Sequence, residues 1–352
     1  MTDILYTFYP LWVIMLTILG GLLKPVLRVI LGPTISDYLF WIMVFGLIGL
    51  KAYLKWTTGT CKSMKRIIGK TVIITGANSG IGKETAVALA FRGGKVILAC
   101  RDVEKGQIVC DEIIKRTENT KVEVQHLDLS SPASIRKFAN NIINTEPRVD
   151  ILINNAGATG LGNKKTEDNL QIGMQVNHFG PFLLTCLLVG KMKKSAPSRI
   201  IMVSSLLHHC AKFDIDNLNC EKKFNESQVY FCSKLANMMI ANELAKKLKG
   251  TGVTVNCVHP GLVYTRTWNY LPGLLQPIFK FILKMFFKSE REAAQTSIFL
   301  AVDKDLDDVT GQFFCDCQVV TPSHKALNEG LAKKVWEKTE ALVGLKPAEK
   351  DF

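Results

Sequence analysis

The sequence predicts an α/β protein in which a single doubly wound parallel sheet follows an N-terminal helical membrane segment. Three observations predict it. Short, continuously apolar strand patterns alternate with helix patterns from residue 71 to residue 315, as they do where helices cover both faces of a parallel sheet. The first strand pattern (Val72, Ile73, Ile74) breaks into Thr75-Gly76-Ala77-Asn78-Ser79-Gly80-Ile81-Gly82, which opens a helix pattern. Before that turn the chain is strongly apolar, and residues 1 to 69 hold seven Lys/Arg against two acids.

At 352 residues the chain holds one large or two modest domains, and 47% hydrophobic with 9% aromatic residues is ample for a buried core. A disordered chain is excluded. The formal charge of +13 comes with no basic run interleaved with aromatics, so no nucleic acid is expected as a partner. A membrane surface or an anionic cofactor fits better. Ten cysteines are scattered without a Cys-x-x-Cys pair and read as reduced thiols. Cys315 and Cys317 alternate on a strand-like segment, and no His/Cys set has ligand spacing, so no metal is implied.

Ile4 to Leu23 is twenty residues without a charge, about 30 Å as a helix and long enough to span a bilayer. Asp3 and the length of the run argue against a cleaved secretory signal. A second run, Tyr38 to Leu50, has thirteen residues. It spans only if Lys51 and Lys55 snorkel and the helix extends to Trp56; otherwise it lies flat or forms a hairpin with the first. Lys51, Lys55, Lys62, Lys65, Arg66 and Lys70 flank the entry to the main domain, and positive flanks stay cytosolic. With one span the N-terminal tail lies across the membrane; with two, the loop holding Lys24 and Arg28 does. The sequon Asn225-Glu226-Ser227 is usable only in a lumenal domain. The boundaries that follow are a membrane anchor and linker at 1–68, a catalytic domain at 69–345 and a tail at 346–352.

Within the domain, strands are expected at Lys95 to Cys100, Val122 to Leu127, Ile151 to Asn154, Arg199 to Ser204, Val253 to Val258 and Gln312 to Cys315. Helices are expected at Val103 to Arg116, Ala133 to Ile143, Asp168 to Lys193 and Gln228 to Lys249. About seven strands make one doubly wound domain.

Glycines 76, 80 and 82 let the backbone turn tightly and let a pyrophosphate approach the first N–H groups of the next helix. Asn78, Ser79 and Ile81 complete that turn. The spacing is Gly-x-x-x-Gly-x-Gly, not the commoner Gly-x-Gly-x-x-Gly of dinucleotide sites. At the tip of the second strand, where an adenosine ribose would lie, Cys100 is followed by Arg101 and not by an acid. A guanidinium there can bond a 2′-phosphate and stack on adenine, which favours NADP(H) over NAD; Lys83 adds charge nearby. The plainer reading is an exposed Arg101–Asp102 ion pair.

Tyr230 and Lys234, four apart in a helix pattern, share one face. A fixed ammonium favours phenolate, so Tyr230 can donate a proton to a carbonyl oxygen while hydride reaches carbon, or take it back in reverse. Ser204-Ser205 closes a strand and puts a hydroxyl at the sheet's carboxyl edge.

With these residues in place, the chain resembles the short-chain dehydrogenase/reductases and is similar to the microsomal retinol dehydrogenases that reduce retinal with NADPH. The likeness runs from about Gly69 to Leu345. It rests on Thr75 to Gly82, Ala99 to Asp102, Leu127-Asp128-Leu129-Ser130, Asn154-Asn155-Ala156-Gly157, Val176-Asn177-His178, Val203-Ser204-Ser205 with His208-His209, Tyr230-x-x-x-Lys234 and His259-Pro260-Gly261. The resemblance implies a Rossmann-type fold and a catalytic Ser205, Tyr230 and Lys234, with Asn177 holding a water in a proton relay to Lys234. It further implies that Asp128 contacts adenine, Asn154 lines the cofactor cleft, Pro260 and Gly261 shape the nicotinamide pocket, and Lys234 bonds the nicotinamide ribose. Plainer roles exist: Asp128 as a helix-start acid, Asn154 and Asn155 as turn residues, Asn177 at a helix bend, His208 and His209 on a loop surface.

Between Thr265 and Ser289 thirteen apolar residues, from Trp268 to Phe287, are interrupted by Lys280, Lys284 and Lys288. In the family this region covers the substrate, and here its lysine spacing also suits docking at an anionic lipid interface, against the plainer reading of a buried helix. The substrates expected are bilayer-dissolved: retinoids first, with isoprenoid aldehydes of the farnesol type or sterol ketones as alternatives. A scaffold that binds dinucleotide without turnover is the reading from a different class. The expected location is the endoplasmic reticulum membrane with the catalytic domain facing the cytosol, and the two long helices offer a homodimer interface.

Overall fold

In the computed structural model, residues 32–222, 225–263 and 285–352 are described, together with Pro25 and Val29. The run Ile4 to Leu23, the loop holding Lys24 and Arg28, and most of the lysine-interrupted apolar region lie outside the described residues. The chain divides into two units, Met1–Thr58 with Tyr264–Ser289, and Gly59–Val263 with Glu290–Phe352.

In the first unit, α1 (Pro33–Thr57) is a 25-residue helix, about 37 Å long. It begins on a proline at its first turn, where the missing N–H costs nothing. It ends where Thr57 and Thr58 hydroxyls donate back to Leu54 O at 3.3 and 2.7 Å. The apolar run of thirteen residues therefore understates the helix, which extends past Lys55 and Trp56. Trp41, Phe45, Tyr53 and Trp56 are all exposed on it.

The second unit is a layered sheet. Its elements are β1 (Thr71–Thr75), α2 (Gly80–Phe91), β2 (Lys95–Cys100), α3 (Val103–Thr117), β3 (Val122–His126), α4 (Pro132–Thr145), β4 (Ile151–Asn154), α5 (Ile172–Lys194), β5 (Ser198–Val203), α6 (Glu226–Lys247), β6 (Val253–Val258), α7 (Glu290–Val302), β7 (Phe313–Cys315), β8 (Gln318–Val319) and α8 (Glu329–Leu342). The strand order is β3-β2-β1-β4-β5-β6-β7-β8, parallel except for the final hairpin. β1, β4, β5 and β6 are buried along their whole length. Their apolar side chains alternate between two clusters, one on each face: Ile73 and Leu152 pack with α4, α5 and α6, Ile74 and Ile153 with α2, α3 and α7.

Local signals set the ends. Asp102 caps α3 by accepting from Lys105 N–H at 2.9 Å, Ser131 caps α4, and Asn225 caps α6 by accepting from Ser227 N–H. Helix α5 starts at Ile172 and not at Asp168, because Lys165 and Gln171 bridge as a small hairpin first. Its second turn, Gln175–Phe179, is a π turn. Helix α5 is apolar enough to pass for a membrane span, yet 83% of its apolar window is buried in the core.

Among the described residues, α7, α8 and β8 fall outside the sequence expectations. Helix α8 lies on α6 and α5. Trp336 meets Phe182 edge-on at 5.0 Å between ring centroids, and Lys247 Nζ sits 5.0 Å over the Trp336 ring. The tail is packed down as well: Phe352 lies edge-on to Trp336, and Arg136 binds Glu349 at 2.9 Å. This chain's own C-terminus therefore covers part of the helix pair expected to serve as a dimer face.

Candidate active site

β1 lies between β2 and β4, so its carboxyl end is the topological switch point at which open α/β sheets take ligands. Three of the residues in the turn there are glycines. Gly76 and Gly80 have φ of 65° and 60°, where a Cβ is strained. A Cβ on Gly76 would lie 3.0 Å from Ala156 Cα, and one on Gly82 would lie 2.5 Å from Asn155 Nδ2. Asn155 Nδ2 donates to Thr75 O at 2.9 Å, and Ala156 N–H to Thr75 Oγ1 at 2.9 Å, so the turn and the segment after β4 brace each other. The Ser79 side chain makes no capping bond to α2. The helix thus presents its first N–H groups uncapped by a side chain beside three glycines, and this fits a pyrophosphate.

At the tip of β2, Cys100 is buried and Arg101 exposed. Asp102 is engaged as the α3 cap. Lys83 reaches α3, where its Nζ meets Glu112 at 2.6 Å and holds that carboxyl below its ordinary pKa. Asp128 Oδ1 accepts from both the N–H and the hydroxyl of Ser130, at 2.9 and 2.7 Å, and so shapes the turn after β3. The side chain of Asn154 does not line the cleft in this structure. It is buried, donating to Thr185 Oγ1 at 2.9 Å and to Met202 Sδ at 3.1 Å. Alternation along the strand sends Asn154 toward α5 and leaves the next residue, Asn155, to meet the glycine turn.

Ser205, Tyr230 and Lys234 converge at the carboxyl end of β5. Ser204 Oγ donates to Lys234 O at 2.9 Å, joining the strand end to α6. The Ser205 hydroxyl lies near enough to the Tyr230 phenol to favour its ionised form. Lys234 Nζ donates to Val203 O at 2.8 Å and lies 5.5 Å from the centroid of the Tyr230 ring. Burial lowers the Lys234 ammonium to about 8, against a small opposing effect of Cys257. Burial also raises the Tyr230 pKa, and the nearby Ser205 hydroxyl only partly opposes it. Desolvation therefore favours the protonated phenol, the form from which Tyr230 would donate a proton.

The π turn of α5 delivers Asn177. Its Oδ1 accepts from Ala158 N–H at 2.7 Å, its Nδ2 donates to Ala158 O at 2.8 Å, and its carbonyl accepts from Asn237 Nδ2 at 2.7 Å. Asn237 in turn meets His178 Nδ1 at 2.8 Å, and His178 Nε2 meets Thr339 of α8 at 3.0 Å. Burial holds the His178 pKa down at about 4. Gly157 closes the group: a Cβ there would lie 3.3 Å from Lys234 Nζ and 3.6 Å from Asn177 Oδ1.

His208 is no surface residue. It is 1% exposed, with Nδ1 2.6 Å from Ser205 O and Nε2 accepting from Ser323 N–H at 3.1 Å. Those partners fix the neutral Nδ1–H tautomer, and burial holds its pKa at about 4. His259 Nδ1 takes the N–H of Leu206 at 3.2 Å and of Gly261 at 3.4 Å, joining the Ser205 turn to the Pro260-Gly261 turn. Gly157, His208, Asn237 and His259 were not assigned site roles from sequence, although three of them sit inside quoted motifs.

The short chain dehydrogenase family pattern matches residues 70–272. The chain belongs to the short chain dehydrogenase family. As a member it is an oxidoreductase that uses a nicotinamide dinucleotide, and the glycine cradle and the buried Lys234 fit that cofactor. Among curated relatives, retinol dehydrogenase 13 of Homo sapiens is 46% identical over 305 residues, covering 84% of this chain and 90% of the relative. Retinol dehydrogenase 11 of Homo sapiens is 44% identical, covering 82% and 90%, and retinol dehydrogenase 12 of Bos taurus 43%, with the same coverage. Among solved structures, an uncharacterised protein of Mycobacterium paratuberculosis is 29% identical with a TM-score of 0.63, covering 81% of this chain and 97% of its own. A short chain dehydrogenase of Shigella flexneri complexed with NADP shares the fold at a TM-score of 0.58 and 24% identity, covering 73% and 100%.

Proposed function

We propose that this chain is a membrane-anchored, NADP(H)-dependent dehydrogenase that interconverts retinal and retinol, in the direction of retinol where NADPH prevails. The observation that carries the reading is the meeting of Ser205, Tyr230 and Lys234 beside the glycine cradle. Retinol dehydrogenases at 43% to 46% identity over most of the chain supply the substrate class.

When bound, the nicotinamide dinucleotide supplies or accepts the hydride. Gly76, Asn78, Ser79, Gly80, Ile81 and Gly82 hold its pyrophosphate on backbone N–H groups. Arg101 takes the 2′-phosphate, and Lys83 adds positive potential beside it. Asp128 borders the adenine, Asn154 supports the cleft floor from below, and Pro260 with Gly261 flank the nicotinamide. Ser205 donates a hydrogen bond to the substrate carbonyl oxygen. Tyr230 gives that oxygen its proton, a step suited to a phenol kept protonated by burial. Lys234, mostly charged below its pKa of about 8, stabilises the phenolate formed and bonds the nicotinamide ribose. A water on a remaining lone pair of Asn177 returns a proton toward Lys234.

Helix α1 and the apolar N-terminus anchor the chain, with the catalytic domain on the cytosolic side of the endoplasmic reticulum. The test is initial rates with retinal, an isoprenoid aldehyde and a ketosteroid, each with NADPH and with NADH. Retinal with NADPH is expected to be fastest. A ketosteroid or isoprenoid preference would overturn the substrate, and an NADH preference the cofactor.

A further inference from the structure

Three buried side chains outside the catalytic set form one line through the catalytic unit. Asn237 Nδ2 donates to the carbonyl of Asn177 at 2.7 Å, Asn237 Oδ1 meets His178 Nδ1 at 2.8 Å, and His178 Nε2 meets Thr339 Oγ1 at 3.0 Å. The direction of every bond follows from the first. A backbone carbonyl only accepts, so the Asn237 amide turns Nδ2 toward Asn177 and Oδ1 toward His178. His178 Nδ1 then carries the hydrogen, Nε2 keeps its lone pair, and the Thr339 hydroxyl donates to it. All three donors point the same way, from α8 to α5, on to α6 and back to α5, so each bond polarises the next. Burial holds the imidazole neutral, with a pKa of about 4, and the line therefore persists at neutral pH.

The line ends on the main chain of the π turn, Gln175–Phe179. Single π turns inside α-helices are often found at functional sites. This one aims the side chain of Asn177, which clasps both backbone groups of Ala158 at 2.7 and 2.8 Å. Asn237 follows Lys234 by three residues on α6, so the two side chains leave neighbouring positions on one helix face. Asn237 thus fastens α5 to α6 within one turn of the ammonium. Asn177 Oδ1 and Lys234 Nζ both border the space that a Cβ on Gly157 would fill. A slip of α5 along α6 would change their spacing, and the Asn237 bond resists it. The far end of the line is anchored on α8 by Thr339, 161 residues from His178 in sequence.

We propose that Asn237, His178 and Thr339 are positioning residues for the reaction: they hold the π turn where Asn177 and Lys234 share a proton route, and so make the C-terminal helix α8 part of the catalytic support. The proposal rests on the reading that Asn177 and Lys234 return a proton toward Tyr230. Each of the three acts through the main chain of Asn177 and not through contact with substrate. Misplacing a catalytic group by about 1 Å can cost about a hundredfold in rate. Losing one buried hydrogen bond while the turn stays seated costs about tenfold or less.

Thr339→Val keeps the shape of the side chain and removes its hydroxyl, Thr339→Ser keeps the hydroxyl, and Asn237→Leu removes the bond to Asn177 outright. Val335→Ala, buried on the same helix but outside the line, controls for loss of packing alone. With full-length protein in detergent, kcat for retinal and NADPH is expected to fall about threefold in Thr339→Val and about thirtyfold in Asn237→Leu. KM for retinal and the NADPH dissociation constant should stay within about twofold of wild type. The solvent deuterium isotope effect on kcat should rise in both variants, because proton return has slowed. Thr339→Ser should recover most of the loss, and Val335→Ala should lower the Tm and leave kcat and the isotope effect in place. Independently of turnover, exchange of the Ala158 N–H with solvent deuterium should quicken about tenfold in Thr339→Val and Asn237→Leu but not in Val335→Ala. The Thr339 pair decides the matter even if Asn237→Leu does not fold. Unchanged kcat in the line variants, a loss that Val335→Ala reproduces, or equal Ala158 exchange in wild type and variants would overturn the positioning role. A wild type that binds NADPH but leaves retinal unreduced would overturn the proposed substrate instead, with Ala158 exchange still deciding the line.

Discussion

Lys234→Met should abolish turnover and stabilise the fold. Lys234 is 2% exposed, its Nζ bonds one carbonyl, and no carboxylate among the described residues acts on it. Its pKa falls from 10.5 to about 8 through burial. At pH 7 the unfolded chain holds this proton more tightly than the native one, a cost to the fold of about 3 kcal/mol. A methionine of similar shape removes that cost but leaves Val203 O without its donor, which returns about 1 kcal/mol. The expected net gain is about 2 kcal/mol, or roughly 4 °C in Tm for a unit of this size. The sign follows from linkage: between the two pKa values the unfolded state binds more protons, so wild-type stability rises with pH. The gain in Lys234→Met must therefore shrink to nearly nothing by about pH 9.5. Thermal melts of both proteins in one detergent from neutral to alkaline pH are the assay. A destabilised Lys234→Met, or a gain that does not change with pH, would refute the reasoning.

Four other outcomes follow from the same geometry. Arg101→Glu should shift preference from NADPH toward NADH by at least about tenfold in kcat/KM, since it would replace the cation proposed to bind the 2′-phosphate with a repelling acid; an unchanged ratio removes Arg101 from the cofactor site. Gly157→Val should cut kcat by about a hundredfold because its side chain would occupy the space beside Lys234 Nζ and Asn177 Oδ1, while the Tm stays close to wild type. His208→Ala should free the Ser205 turn from the segment at Ser323 and lower kcat more than it raises KM, with partial recovery in His208→Gln. His178 and His208, both held near pKa 4 against an ordinary 6.5, make the fold less stable as pH drops from 6.5 toward 4, by about 2 kcal/mol each at pH 5. Urea melts at pH 7 and pH 5 check this, and an unchanged midpoint would contradict it.

Much of this was legible in sequence for identifiable reasons. The strands at Lys95–Cys100, Ile151–Asn154 and Val253–Val258 have the expected bounds because each is rich in β-branched and other apolar residues and is flanked by Gly, Pro, Asp or Asn within two residues. The glycine turn was legible because positive φ and close approach leave few alternatives to glycine. Less legible was whatever depends on what lies opposite. Asn154 and Asn155 are identical in sequence, and only strand alternation against α5 and the turn separates their roles. His208 reads as a loop residue until Ser323, more than a hundred positions on, folds back over it. The cation four residues from Tyr230 is visible in Tyr-x-x-x-Lys, whereas the burial that raises the phenol's pKa is not. Thr339 gave no signal at all, since its partner His178 lies 161 residues away.

The central claim is that Tyr230, near Ser205 and beside Lys234, gives a lipid carbonyl its proton. Its most direct test pairs dinucleotide binding with turnover in Tyr230→Phe. The account predicts that this variant quenches or shifts NADPH fluorescence as wild type does, yet consumes no NADPH when retinal is added. Undiminished retinal reduction by Tyr230→Phe would contradict it.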